Sequence, residues 1–258
     1  MVGRLNGTWA LLLALVAGNC LYASIIGTPK AEFQQTYSLN PNGRVVIQNL
    51  YGDVRITAWD RDEVLVQAIK KSRDPRQLED ARIVVDSSNE LLSIRTQYAG
   101  ADAEHPASVE YRITVPRTAN LENVRLVNGG LSISGLAGSI KASSVNGSIR
   151  AERLGGQVDL STVNGHLDAD FNRVSRSNSI SLSSVNGPIN LSIPSGAGVQ
   201  LFAHNLSGGI DSDFGHVWRA SGGHRLRTTV NRGGAQIHLN NVNGGISIRG
   251  SLNRRIVS

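Results

Sequence analysis

The sequence has few residues that cross-link a fold, kink its backbone or fill its core with large side chains. Its 258 residues include one Cys, one Met and seven Pro, with three Trp, five Tyr and four Phe. A single cysteine excludes a disulfide framework within the chain. We also find no phosphate-binding loop, no metal-ligand motif of recognised spacing and no nucleophile motif. The sequence therefore describes an architecture and gives no sign of a particular reaction.

Long hydrophobic runs are also missing. The apolar stretch at 9–18 follows Arg4 and is about ten residues long, too short to cross a bilayer about 30 Å thick as a helix. A basic residue before a short apolar run is typical of a secretory signal. We predict a signal peptide over residues 1–23 and leave open whether cleavage follows Gly18 or Ala23.

The only cysteine, Cys20, lies within this segment. Asn19 precedes it, whereas a bacterial lipoprotein cysteine follows a small residue, so we interpret Cys20 as part of the discarded signal and keep lipidation as the alternative. The expected location is the periplasm, the cell surface or the extracellular medium. Membrane attachment is expected only if Cys20 is lipidated.

The formal net charge is +6 at pH 7. An exported basic protein meets lipid head groups, acidic polysaccharide and released DNA rather than cellular nucleic acid. The basic clusters lack interleaved aromatic residues for base stacking, so nucleic acid is not expected as a partner. We expect an unknown envelope protein or an anionic polysaccharide instead. These clusters are Lys70, Lys71 and Arg73, then Arg225 and Arg227, and finally Arg254 and Arg255.

Glycine, by contrast, is abundant, with 28 residues, and much of it belongs to an internal repeat. The pattern is an apolar residue, a small residue or Asn, Gly, any residue and an aliphatic residue. It recurs every nine residues, with Val-Asn-Gly and Leu-small-Gly versions alternating, so the full unit has eighteen residues. The copies are at 127–131, 136–140, 145–149, 154–158 and 163–167, then at 185–189, 206–210 and 242–246, with an early copy at 50–54.

Alternation within each copy predicts a strand, because the residue two after the aliphatic position is again apolar. We predict that Ile140, Ile149, Val158 and Leu167 point inward, followed by Ile133, Ala142, Ala151, Leu160 and Ala169. The residues between them should face solvent: Ser132, Lys141, Arg150, Asp159 and Asp168.

Three residues separate the second apolar position from the next Val or Leu, and this odd step would place them on opposite faces of a straight strand. We therefore expect a bend there, with Gly129, Gly147, Gly165, Gly187 and Gly244 forming corners. The predicted fold class is all-β, a β-solenoid of 9/18-residue strand-plus-corner repeats. Residues eighteen apart would stack about 4.8 Å from each other, with Arg150 over Asp168 and Lys141 over Asp159. An antiparallel β-meander or sandwich is the alternative.

Residues 32–116 are also predicted to be β-rich and to belong to the same domain as the repeat solenoid at 117–250. Short alternating apolar runs indicate strands, and Pro116 ends the last of them. One helix is expected over 74–82, with Asp74 as the cap and Pro75 in the first turn. Residues 99–106 are expected to form a loop and 251–258 a C-terminal tail.

The order of these segments resembles the bacterial putative-adhesin domain family of unknown function. The residues that carry the resemblance are those at 51–60, 64–68 and 111–116, then the serial Val-Asn-Gly units ending at 236–248. The resemblance implies a β-solenoid-like domain on exported or membrane-linked bacterial proteins. It supplies no catalytic, cofactor-binding or metal-binding residues.

Two groups of residues deserve weighing as chemical sites. Arg150, Glu152, Asp168 and Asp170 would share an outward face, and paired carboxylates on a β-helix could cleave a glycan. A surface ion pair between Arg150 and Asp168 is the simpler interpretation. His204, Asp211, Asp213 and His216 could hold a metal, but their spacing matches neither the twelve-residue calcium loop nor the glycine-rich calcium-binding nonapeptide. The remaining His105, His166, His224 and His238 are expected to be exposed polar positions.

We therefore expect an exported, non-enzymatic β-repeat protein that serves as a scaffold or binding module, with no cofactor. A carbohydrate-active lyase or hydrolase on a β-helix is the alternative.

Overall fold

The computed structural model describes residues 30–99, 106–220 and 222–251. The predicted signal peptide with Cys20, most of the loop at 99–106, His105 and the basic pair at 254–255 lie outside this range. Among the described residues, nearly all regular structure is β, which confirms the all-β class, and no helix is long and apolar enough to cross a bilayer.

The N-terminal part forms seven strands and one short helix. They are β1 (Lys30–Ser38), β2 (Arg44–Tyr51), β3 (Val54–Trp59), β4 (Glu63–Lys71), α1 (Pro75–Asp80), β5 (Ala81–Ser87), β6 (Leu91–Tyr98) and β7 (Ser108–Pro116). The predicted helix is present, with the Asp74 side chain accepting from the backbone N–H of Arg76.

The repeat region follows with fourteen strands within the described residues. They are β8 (Asn120–Asn128), β9 (Leu131–Ser134), β10 (Ile140–Asn146), β11 (Ile149–Leu154), β12 (Val158–Asn164), β13 (Leu167–Phe171), β14 (Ser179–Asn186), β15 (Ile189–Pro194), β16 (Val199–Ser207), β17 (Ile210–Ser212), β18 (Trp218–Ala220), β19 (Gly223–Val230), β20 (Ala235–Asn243) and β21 (Ile246–Ser251). The last of these ends at Ser251, where the tail was predicted to start.

The strands form two large mixed sheets that are not closed into a barrel. Sheet A has the order β1-β4-β7-β3-β9-β11-β13-β15-β21-β17. Sheet B has the order β18-β19-β16-β20-β14-β12-β10-β8-β2-β6-β5. Inward side chains from both sheets join in one hydrophobic core. The chain passes from sheet B to sheet A at each Val-Asn-Gly corner, and we call each such pair of strands a layer.

Neighbouring layers of the repeat pair in parallel, so the antiparallel meander is wrong for this region. Ile140 pairs with Val158 and Ile149 with Leu167, both eighteen residues apart. The offset then grows to twenty-two, because Val158 pairs with Ile180. Antiparallel pairing occurs at the two ends of the stack, in β1–β4, β4–β7 and β5–β6 and in β16–β19 and β18–β19.

The last layer is out of chain order. β20 lies between β14 and β16 in sheet B, and β21 lies between β15 and β17 in sheet A. Ile180 therefore pairs with Ile237, fifty-seven residues later in the chain. The C-terminal layer is thus an internal layer of the stack.

Strand parity is confirmed at every predicted position of the repeat. The nine residues predicted to point inward are all buried. Lys141, Arg150 and Asp159 are exposed, and Ser132 and Asp168 are partly exposed. The alternation of apolar and polar residues therefore set the register, as expected for a strand with one buried face.

Candidate binding surface

The prediction of a bend before Val is wrong, and the straight strands found there create the main surface feature of the molecule. β10 and β12 run without interruption through Val145 and Val163, so the odd step places these side chains on the outer face of sheet B. Val145 is 41% exposed and Leu206 is 53% exposed. The Leu copies at 136–140 and 154–158 do bend: Gly135 and Arg153 adopt φ values of +79° and +54°, and Leu136 and Leu154 are buried in the core.

The strand registers align these outward residues in one row across seven adjacent strands. We call this row the apolar stripe. Six steps of about 4.8 Å make it about 29 Å long. Scattered apolar residues are ordinary on a protein surface, whereas a contiguous row marks an interaction site. In spatial order it contains Leu50, Val127, Val145, Val163, Val185, Val242 and Leu206.

A groove of about 460 Å³ follows the stripe over five of these residues. It is bordered by small polar residues such as Ser161 and Ser183 and reaches His204 at one end. A row of asparagines lies beside it at the corner. Asn146 donates to Asn128 at 2.9 Å, and Asn164 donates to Asn146 at 2.8 Å, with the same bond repeated through Asn186 and Asn243. This ladder adds side-chain hydrogen bonds to the backbone pairing that sets the spacing of the stripe.

The corners under the stripe are held by glycines at close approach. A Cβ on Gly147 would lie 1.9 Å from the carbonyl oxygen of Gly129, and one on Gly165 would lie 2.4 Å from that of Gly147. Gly187 and Gly244 also have positive φ, at +141° and +135°. The prediction that these glycines form corners is therefore confirmed.

In six of the seven strands a buried polar side chain directly precedes the stripe residue and hydrogen-bonds corner carbonyls, the exception being Leu126 before Val127. Thr162 donates its hydroxyl to the carbonyl oxygen of Gly147 at 3.0 Å, and Ser144 donates to that of Gly129 at 3.2 Å. In other layers, an amide does the same, as where Asn205 donates to Gly244 at 2.6 Å. A buried carbonyl without a partner is costly, so this row stabilises each corner. Sequence reasoning missed it, although the recurring Ser, Thr or Asn before Val or Leu was visible.

The end of sheet B beyond Leu206 is cationic and aromatic. The rings of Phe202 and His238 stack with centroids 4.9 Å apart, and the Arg227 guanidinium lies 5.2 Å from the Phe202 ring centroid. Arg225 pairs with His204 on one side and with Trp218 on the other, so these side chains share the outer face. We call these six residues the cationic end: Phe202, His204, Trp218, Arg225, Arg227 and His238.

The carboxylates considered for catalysis lie on the outer face of sheet A. Arg150 and Asp168 are register neighbours, as predicted, but the expected ion pair between them is wrong. Arg150 donates to Glu152 on its own strand at 2.6 Å, and Asp168 accepts from Asn190 at 2.7 Å. Asp170 pairs across the strand with Ser192. These contacts are those of an exposed polar surface.

The residues considered for a metal site are not brought together. His204 is on sheet B and donates from its Nε2 atom to the carbonyl oxygen of Gly222 at 3.2 Å, whereas Asp211 is on β17 of sheet A and Asp213 directly follows that strand. Arg249 bonds both carboxylates, and this guanidinium lowers the pKa of Asp211 below its usual range. Within the described ranges, no three His, Cys, Asp or Glu side chains form a cluster that could hold a metal.

Of the three described histidines that were expected to be exposed polar positions, two are exposed and one is only partly exposed. His166 and His238 are exposed, as predicted. His224 is only partly exposed, and its Nδ1 atom is buried without a hydrogen-bond partner among the described residues.

A family model and one similar solved structure agree with this architecture. No curated protein matches the chain. Two similar solved structures are a putative cell adhesion protein from Clostridium sporogenes ATCC 15579 and a putative adhesin from Bacteroides fragilis NCTC 9343. The first is 10% identical with a TM-score of 0.50, over 86% of this chain and 100% of that one. The second is 12% identical with a TM-score of 0.43, over 85% and 97%. The Toastrack DUF4097 family model matches residues 41–249, and the chain therefore belongs to this family of unknown function.

Proposed function

We propose that the chain is an exported, non-enzymatic binding module of the bacterial cell envelope, built on a solenoid-like stack of layers. The observation that carries this proposal is the apolar stripe, a row of seven outward aliphatic residues on the outer face of sheet B. A row of this kind is stabilised when a partner covers it, because burial removes apolar area from water. A carbohydrate-active enzyme has less support, because its candidate carboxylates lie exposed among polar neighbours.

The test exposes the purified protein to acidic polysaccharides and scores both retention of the polymer and release of reducing ends. We expect no release of reducing ends, from either the wild type or the Asp168→Asn/Asp170→Asn double variant. The double variant should fold normally, because exposed ionic contacts contribute about 0 to 1 kcal/mol.

An enzyme would behave differently. Loss of a general acid or base lowers turnover by about 10²-fold to 10⁴-fold. Glycan cleavage by the wild type that is abolished in the double variant would contradict the proposed function.

A further inference from the structure

We propose that the outer face of sheet B docks on an anionic membrane surface, with the apolar stripe at the level of the acyl chains and the cationic end on lipid head groups. This inference rests on the proposed binding function and names its partner. It does not require lipidation at Cys20.

The distribution of charge along the stripe is the first argument. At one end of sheet B acidic residues pair with part of the cations, Arg44 with Glu122 at 3.4 Å and Arg95 with Asp86 at 2.8 Å. At the other end β14, β16, β18, β19 and β20 contain no Asp or Glu. Among the described residues, Arg225 and Arg227 form no ion pair. The stripe therefore leads into a cationic patch that lacks an internal counter-charge.

The combination of apolar and cationic groups selects the class of partner. An acidic polysaccharide would neutralise Arg225 and Arg227 but would leave the stripe in water. An anionic bilayer meets both needs, because a shallow apolar face enters the interface while basic side chains contact anionic head groups. Trp218, which is 45% exposed beside Arg225, is a residue type that favours this interface.

The shape of the face favours a surface over a single lipid molecule. The groove lies open on the face of a sheet whose strands are about 4.8 Å apart. A pocket for a small ligand, by contrast, encloses about 70–90% of the ligand's surface. The arrangement of Phe202 argues against nucleic acid. Its ring lies between His238 and Arg227, so its faces are not free for a base.

Two variants test the two parts of the face. Arg225→Gln/Arg227→Gln removes the cations, and Val163→Thr/Val185→Thr/Val242→Thr keeps the β-branched shape while making the stripe polar. The matched control is Arg55→Gln/Arg112→Gln, which removes two exposed, neighbouring cations from sheet A. Circular dichroism and a thermal melt establish that each variant folds.

The measurement is flotation of the full chain with vesicles of phosphatidylcholine alone and with about one third phosphatidylglycerol. Every variant keeps the apolar segment at 9–18, so differences between variants report on the face. We expect binding to the anionic vesicles that weakens in high salt. The arginine variant should bind about thirtyfold more weakly, since it removes two surface cations that each contribute about 1 kcal/mol. The threonine variant should bind several-fold more weakly, and the control should bind like the wild type.

Three outcomes would overturn the membrane inference. They are no binding of the wild type to anionic vesicles, equal binding by wild type and both face variants, and an equal loss in the sheet A control. If vesicles fail while an acidic polysaccharide or an envelope protein is retained through the stripe, the binding function stands and this inference fails. If the threonine change only abolishes a dimer seen by sedimentation, the face is an interface between copies and the inference also fails.

Discussion

Single glycines at the Val-Asn-Gly corners determine how closely the layers can stack. The backbone of Gly147 lies so close to Gly129 that a methyl group has no room, although φ at Gly147 is not in the left-handed region. The requirement here is space and not backbone flexibility. Gly245 occupies the equivalent place one residue later in another corner, and a Cβ there would meet no atom within 4 Å.

We predict that Gly147→Ala destabilises the fold by about 2 kcal/mol or more, because the added methyl overlaps a backbone carbonyl that must shift with its whole layer. The check is the free energy of unfolding from chemical denaturation. Gly245→Ala is the matched control and should change stability by less than about 0.5 kcal/mol. Equal free energies of unfolding for the two variants would contradict the close-packing explanation.

Among the elements, most strands of sheet B that carry the stripe end with an inward polar residue followed by an outward Val or Leu and the corner; β8, with Leu126 before Val127, is the exception. In β12, alternation holds through the buried Thr162 and the exposed Val163 and ends at Asn164, which is also exposed. The buried hydroxyl of Thr162 makes one hydrogen bond, to the Gly147 carbonyl, which would otherwise have no side-chain donor.

We predict that Thr162→Val destabilises the protein by about 1 to 3 kcal/mol, because it keeps the shape but leaves that carbonyl without its hydroxyl donor. The matched control is Thr229→Val, the same substitution at an exposed position of β19. It should leave the free energy of unfolding nearly unchanged. A Thr162→Val protein as stable as this control would show that the corner carbonyl does not need the hydroxyl.

Alternation predicted the strands and their buried faces well. The parity of Ile140, Ala142 and Lys141 depends only on a pattern within one strand, which the sequence displays directly. The position of Val145 could not be read in this way, because an apolar side chain was expected to be inside. A straight strand with the observed odd step would have predicted its exposure. At Val145 the hydrophobic side chain suggested burial whereas strand parity suggested exposure, and the exposure predicted by parity is what the structure shows.

At the scale of the whole molecule, pairing between distant segments decides the order of layers. The place of β20 and β21 was beyond prediction, because the sequence repeats the same motif in β14, β16 and β20. Any of these strands has the alternation and the glycine corner needed to lie beside any other. The cationic end was equally hidden, since Phe202, Arg227 and His238 come together only when β19 and β20 flank β16.

We predict that a chain ending at Gly234 loses more than one terminal layer. β20 and β21 are the neighbours of β16 and β17, so their removal separates residues 199–230 from the rest of the stack. These residues should then exchange amide hydrogens quickly and be cut in limited proteolysis, while 120–194 stays protected. In a stack whose layers follow chain order, the loss of the last layer only shortens one end.

A chain ending at Ser251 is the control, because it keeps both strands whole. Protection at 199–230 equal to that of the control would contradict the internal position of the last layer.

The two corners of a layer differ in how much their length can vary. Two residues join sheet B to sheet A at every Val-Asn-Gly corner, as at 147–148 and 165–166. The opposite corner ranges from three residues at 155–157 to seven at 172–178. Gene changes that add residues are therefore compatible with one edge of the molecule only. The stripe can keep an unbroken spacing while the far edge acquires new loops. The far edge is therefore free to diversify, whereas the Val-Asn-Gly edge must keep its length.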